Sequence, residues 1–183
     1  MMDKLRKYSP FFFSPVIIAL QFFRVFSLPV LEFIDGFFSD LSGTETGALK
    51  TRYSYIELYN LISRIKKADT AGRGTPFYFA YLALMLLAIA AVVFLYFSFI
   101  LFLVKNKTAH TYYRIGLSCA VLASVLTIVG ALAANYVLTS YFADLGNILL
   151  PTYIPAVTAC VSALAIILLP QKPPKAAPDS RWK

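Results

Sequence analysis

The chain has 183 residues, of which 59% are hydrophobic and only 14% are charged, and its formal net charge is +8. Soluble domains are near half apolar and about a quarter charged, so this composition argues against an ordinary soluble enzyme, a disordered tail and a secreted disulfide scaffold. It indicates a chain that resides in a lipid bilayer. The basic excess could serve nucleic-acid binding, but in a membrane protein it usually records which side faces the cytoplasm, and no nucleic-acid partner is predicted.

Four apolar stretches organise the chain, at residues 11–34, 77–104, 112–138 and 149–169. A bilayer core of about 30 Å takes roughly 20 helical residues, so each stretch is long enough to span it. The prediction is an all-α, polytopic integral membrane protein with four transmembrane helices in a single membrane domain. This outline resembles that of claudin-like tetraspan proteins in topology alone, because the long first connection lacks the tryptophan and cysteine pattern of their loop.

The first stretch differs from the others because Gln21 and Arg24 lie in its middle. An arginine at a helix centre costs about 2.5 to 3.5 kcal/mol on insertion scales, so it needs a partner or water. The other spans contain no carboxylate to pair with it. Either Arg24 contacts another chain, or Pro15 and Pro29 break the helix so that Arg24 reaches water or headgroups, which we favour slightly. A signal peptide cleaved near residues 25–27 is a third alternative.

The long connection at residues 35–75 is the only sizeable hydrophilic region, and residues 53–67 within it have helical periodicity. One face of this predicted helix is polar, and the other is apolar and carries Tyr55, Leu58, Tyr59 and Ile62. Such an amphipathic helix could lie on lipid, close over its own bundle or receive a partner. Packing on the bundle or on lipid is the more frequent case.

The distribution of lysine and arginine predicts the orientation. Ten basic residues flank the spans at the amino end, in the second connection and in the tail at 170–183, against six in the long loop and none in the third connection. Positive residues in short flanks resist translocation. Both termini are therefore expected in the cytoplasm, with the long loop outside the cell membrane.

The third and fourth stretches contain small residues at a spacing that lets helices approach closely. The pairs of interest are Gly116 with Ala120, Gly130 with Ala134, and Ala159 with Ala163. They predict tight packing between these two helices, either within one chain or against a second copy.

The sequence offers little for chemistry. It has one histidine, His110, and its two cysteines, Cys119 and Cys160, stand apart in the third and fourth stretches. We predict no catalytic residue, metal site or cofactor, because ligand sets and base-activated nucleophiles need several such side chains together. The leading hypothesis is a structural or accessory subunit of a membrane complex, with a protein partner or second copy. The alternative is an oligomeric transporter or channel component for small solutes or lipids, with Gln21 and Arg24 lining its path.

Overall fold

The computed structural model describes residues 2–31, 51–68, 75–104, 108–141 and 147–169. This part of the chain is mostly helical, in agreement with the predicted all-α class. Its helices are α1 (Met2–Phe22), α2 (Tyr55–Ala68), α3 (Thr75–Leu103), α4 (Ala109–Tyr141) and α5 (Tyr153–Ile167), and its strands are β1 (Phe26–Ser27), β2 (Arg52–Tyr53) and β3 (Leu150–Pro151). The predicted tail at 170–183 and the loop residues 35–50 and 69–74 lie outside the described ranges.

Among the described residues, two helices are long and apolar enough to cross a membrane. α3 has 29 residues and α4 has 33, which correspond to about 43 and 50 Å at the rise of an α-helix. Only 22% of the most apolar window of α3 is buried within the chain, so most of its apolar surface faces outward. The apolar part of α1 (Tyr8–Phe22) and the 15 residues of α5 are shorter, each about 22 Å long.

The first apolar stretch, 11–34, is not one helix. α1 continues through Pro15 and ends at Phe22. Proline is tolerated inside membrane helices where neighbouring groups satisfy the backbone atoms that it leaves free. Pro29 begins a further helical segment, which is a position that proline favours. The expected break in this stretch is present, because α1 ends before the exposed Arg24 and helix resumes only at Pro29, but the helix is not broken at Pro15.

The chain leaves α1 to form a three-stranded antiparallel sheet in the order β2-β1-β3. After the end of α1, backbone hydrogen bonds to distant segments of the chain replace the hydrogen bonds of the helix. The Val25 N–H donates to the Tyr53 carbonyl at 2.9 Å, and the Thr152 N–H donates to the Val25 carbonyl at 2.9 Å. The sheet joins the end of α1 to the starts of α2 and α5, and we call this end of the bundle the sheet end.

Local capping determines where α2 and α5 begin. Ser54 and Glu57 form a capping box, in which the Ser54 N–H donates to the Glu57 carboxylate at 2.9 Å and the Glu57 N–H donates to the Ser54 hydroxyl at 3.4 Å. α2 therefore begins at Tyr55, later than the predicted residue 53. Thr152 caps α5 through its side chain, so that helix begins at Tyr153 after β3, later than the predicted residue 149.

α3 and α4 approach each other closely at Gly116. A β-carbon on this glycine would lie 2.8 Å from Leu95 Cγ and 3.0 Å from the Leu95 backbone nitrogen. Gly116 therefore packs against α3, whereas its spacing predicted packing against α5. Ala120 is buried in the same core as Leu95. Of the other small residues singled out from the sequence, Gly130 and Ala163 are exposed, and Ala134 and Ala159 are half-buried.

Candidate functional site at the sheet end

Aromatic residues tie the inner face of the sheet to the bundle. Phe26 is only 2% exposed. Its ring contacts the rings of Tyr55 and Tyr81, at centroid distances of 5.8 Å. The Tyr81 hydroxyl donates to the Tyr55 carbonyl at 2.7 Å, and the Tyr55 and Thr127 hydroxyls are 2.7 Å apart. Tyr55 is the donor of that bond, because Thr127 gives its only hydroxyl hydrogen to the Ala123 carbonyl. The start of α2 is thereby fixed on α3 and α4.

The apolar face of α2 packs on its own bundle. Tyr55 and Leu58 are 5% and 4% exposed, and Tyr59 and Ile62 are half-buried in the same cluster. The Tyr59 hydroxyl also lies 3.0 Å from the Tyr78 hydroxyl on α3. These four residues of α2, predicted to contact a partner or lipid, therefore make contacts within the chain.

Burial also raises the pKa of the Tyr55 hydroxyl, and the hydrogen bond to Thr127 offsets this only in part. A buried phenolate is disfavoured because it loses its hydration. Tyr55 therefore remains a protonated donor at neutral pH.

The outer face of the sheet carries Ser27 and Arg52. In the strand register Ser27 pairs with Arg52, and Phe26 pairs with Tyr53. Neighbouring residues on a strand project to opposite faces of the sheet. Since Phe26 points into the bundle, Ser27 and Arg52 lie together on the outer face.

Arg24 follows the end of α1 and is exposed. The Thr152 hydroxyl donates to its backbone carbonyl at 2.9 Å, and the next residue, Val25, is 1% exposed. The backbone at Arg24 is thus fixed against the first turn of α5.

Arg24 and Arg52 line one cavity of about 550 Å³, which we call the arginine cavity. Its other lining residues come from the end of α1, from β1 and from the start of α5, and they are Phe22, Phe23, Ser27, Thr152, Tyr153 and Ile154. In the described part of the chain neither guanidinium forms an ion pair. Three aromatic residues at the cavity are exposed: Phe22 by 64%, Phe23 by 56% and Tyr153 by 73%. The cavity therefore combines two positive charges with apolar rings.

Gln21 lies in a different pocket. It is 7% exposed and lines an almost wholly apolar space of about 150 Å³ between α1, α2 and α3, together with Tyr55 and Ala88. Phe22 lines both this pocket and the arginine cavity. The two polar residues singled out in the first apolar stretch therefore do not share one cavity.

Sequence reasoning did not single out Arg52, because composition places it in a hydrophilic loop. The sequence nevertheless contains a signal for a strand at Arg52. Thr51, Tyr53 and Tyr55 alternate with Arg52 and Ser54, which is the two-residue period of a strand formed by β-favouring side chains.

No model of a known protein family, curated protein sequence or solved structure matches the chain. Among the described residues, no group of three or more His, Cys, Asp and Glu side chains could hold a metal ion, and Cys119 and Cys160 are free thiols. The described part of the chain is mostly helical, with two helices long and apolar enough to cross a membrane and a basic cavity at the sheet end.

Proposed function

We propose that this chain is a non-enzymatic, multi-pass membrane protein that serves as a structural or accessory subunit of a membrane complex. In this proposal α1, α3, α4 and α5 are four spans of the cell membrane, and both termini face the cytoplasm. The sheet end and α2 then lie toward the outer side. The distribution of basic residues along the sequence supports this orientation.

The main support for this proposal is the outward apolar surface of α3 and α4. α4 exposes large apolar side chains along its length, at Leu122, Val125, Leu126, Val129 and Leu132. Beside them, a β-carbon built on Gly130 meets nothing within 4 Å. An extended apolar surface needs cover from lipid or protein, and a glycine within it lets a second helix approach closely. The outer face of α4 around Gly130 therefore suits a partner helix.

Purification of the full chain in a mild detergent tests this proposal. We expect it to elute with a partner of fixed stoichiometry or as a defined oligomer, which crosslinking would capture. Gly130→Leu should weaken that association by filling the gap, whereas Ala163→Leu, at an exposed small residue of α5, should leave it unchanged. An isolated monomer in every mild detergent would contradict the proposal.

A transporter or channel component that acts as an oligomer is the second candidate. It is favoured by Phe22, which lines both the arginine cavity and the Gln21 pocket, so that the two spaces share one residue. Reconstituted protein should then take up an anionic solute, and Arg24→Leu should reduce that uptake. Unchanged flux in this variant would exclude Arg24 from a transport path.

A further inference from the structure

We infer that the arginine cavity binds a phosphate-bearing anion, with Arg24 and Arg52 as charged ligands and Ser27 as a hydroxyl donor. This goes beyond the proposed accessory role, which requires no ligand. The three residues reach the cavity from the end of α1, from β2 and from β1.

The positive charge of the arginine cavity is the first reason to expect an anionic ligand. Two arginine residues line one space of about 550 Å³, and within the described ranges neither is paired with a carboxylate. Arginine stays charged at all ordinary pH values, and its planar fork matches two oxygens of a phosphate. An anion in this cavity would therefore have two arginines among its lining residues to neutralise its charge.

The backbone of the cavity is organised before any ligand arrives. Arg52 is fixed by strand pairing with Ser27, and the carbonyl of Arg24 is held by the hydroxyl of Thr152. Ligands on an ordered backbone lose less entropy on binding than ligands on a free loop. The two arginines are therefore better placed for binding than exposed loop arginines would be.

The surroundings of the cavity suit an amphiphile. Exposed rings of Phe22, Phe23 and Tyr153 adjoin the charged groups. The cavity also lies where α1 ends and α5 begins. A phosphate near the arginines could thus belong to a phospholipid headgroup whose chains contact the rings, or to a free phosphate.

Native mass spectrometry of the full chain in detergent tests the inference, with phosphatidylglycerol and phosphatidylcholine as probes. We expect the wild type to retain phosphatidylglycerol about tenfold more strongly, as one to two charge-assisted contacts would give. The double variant Arg24→Gln/Arg52→Gln should lose this preference. Arg24→Lys/Arg52→Lys keeps the charge without the fork and should show an intermediate preference. Arg64→Gln, at an exposed arginine of α2, is the matched control and should behave as wild type.

A second arm separates the two sources of phosphate. Millimolar inorganic phosphate, added without lipid, should raise the thermal midpoint of the wild type and not of the double glutamine variant. A phosphate effect without phosphatidylglycerol retention assigns the cavity to a free phosphate, and retention assigns it to a headgroup. Equal retention of both lipids with no phosphate effect, or an equal loss in Arg64→Gln, would overturn the inference. Partner co-purification is measured separately, so the accessory role and the ligand site can fail independently.

Discussion

Tyr55 connects three elements through one residue. Its hydroxyl donates to Thr127 on α4, its carbonyl accepts from Tyr81 on α3, and its ring packs on Phe26 of β1. These contacts hold the capped end of α2 on the bundle. The hydroxyl is the one part that can be removed without disturbing the ring contacts.

Tyr55→Phe should destabilise the packing of α2 by about 1 kcal/mol, the usual net contribution of one hydrogen bond. Hydrogen exchange of the α2 amides at neutral pH measures this directly. Tyr136→Phe, at a tyrosine that is 77% exposed, is the control and should have no effect. Wild-type exchange rates in Tyr55→Phe would show that the bond to Thr127 does not stabilise α2.

The raised pKa of Tyr55 also predicts a dependence on alkaline pH. An unfolded tyrosine loses its proton near pH 10, whereas the buried Tyr55 keeps its proton to higher pH. Its contribution is complete below about pH 10, and the free energy of unfolding falls as the pH rises toward the folded pKa. Thermal midpoints between about pH 9 and 11 should therefore fall more steeply in the wild type than in Tyr55→Phe. Parallel curves for the two proteins would contradict this.

At the level of elements, the contact between α3 and α4 depends on Gly116. Gly116→Ala would place a methyl group 3.0 Å from the Leu95 backbone nitrogen, which cannot rotate away. We expect a loss of about 1 to 3 kcal/mol, the cost of overpacking. Gly130→Ala meets no neighbour within 4 Å, so it should be neutral or stabilise α4 by up to about 1 kcal/mol through helix propensity. Denaturation in one detergent compares the two variants, and equal stabilities would refute the close approach at Gly116.

Sequence hydropathy located the two long helices because the signal for them is local. Apolar runs at 77–104 and 112–138 correspond to Thr75–Leu103 and Ala109–Tyr141. Hydropathy did not locate the division of the stretch at 11–34 into α1 and β1, because that division depends on pairing with residues far along the chain. The Val25 backbone bonds to Tyr53 and Thr152, and no helical period in a single stretch reports such pairing.

The candidate site was predictable only in part for the same reason. Arg24 stood out as a charge inside an apolar stretch, and this is a local observation. Arg52 did not stand out, because its place beside Ser27 follows from the register of β1 and β2. The small-residue pairs had the correct spacing for close packing, but spacing alone does not say which helix Gly116 faces.

At the scale of the whole described structure, two long helices and two shorter ones meet around the sheet end. In the proposed orientation the sheet end faces outward and the opposite end of α3 faces the cytoplasm. A cysteine at Arg64 of α2 and one at Val104, just beyond α3, mark the two sides, and both positions are exposed.

Single-cysteine variants Arg64→Cys and Val104→Cys, made with Cys119 and Cys160 replaced by serine, test that orientation. A membrane-impermeant maleimide on intact cells should label the first variant and not the second. Lysis should make both reactive. Labelling of the second alone would reverse the orientation, and labelling of both in intact cells would contradict a membrane-spanning arrangement.

The proposal that the outer face of α4 receives a partner is tested most directly by photocrosslinking in cells. A photoreactive amino acid at Val129, which is 57% exposed beside Gly130, should yield a protein adduct of one defined mass. The same probe at Leu132, 50% exposed, should give that adduct again, and Gly130→Leu should reduce both. Adducts only to lipid at both positions would contradict an accessory role through this face.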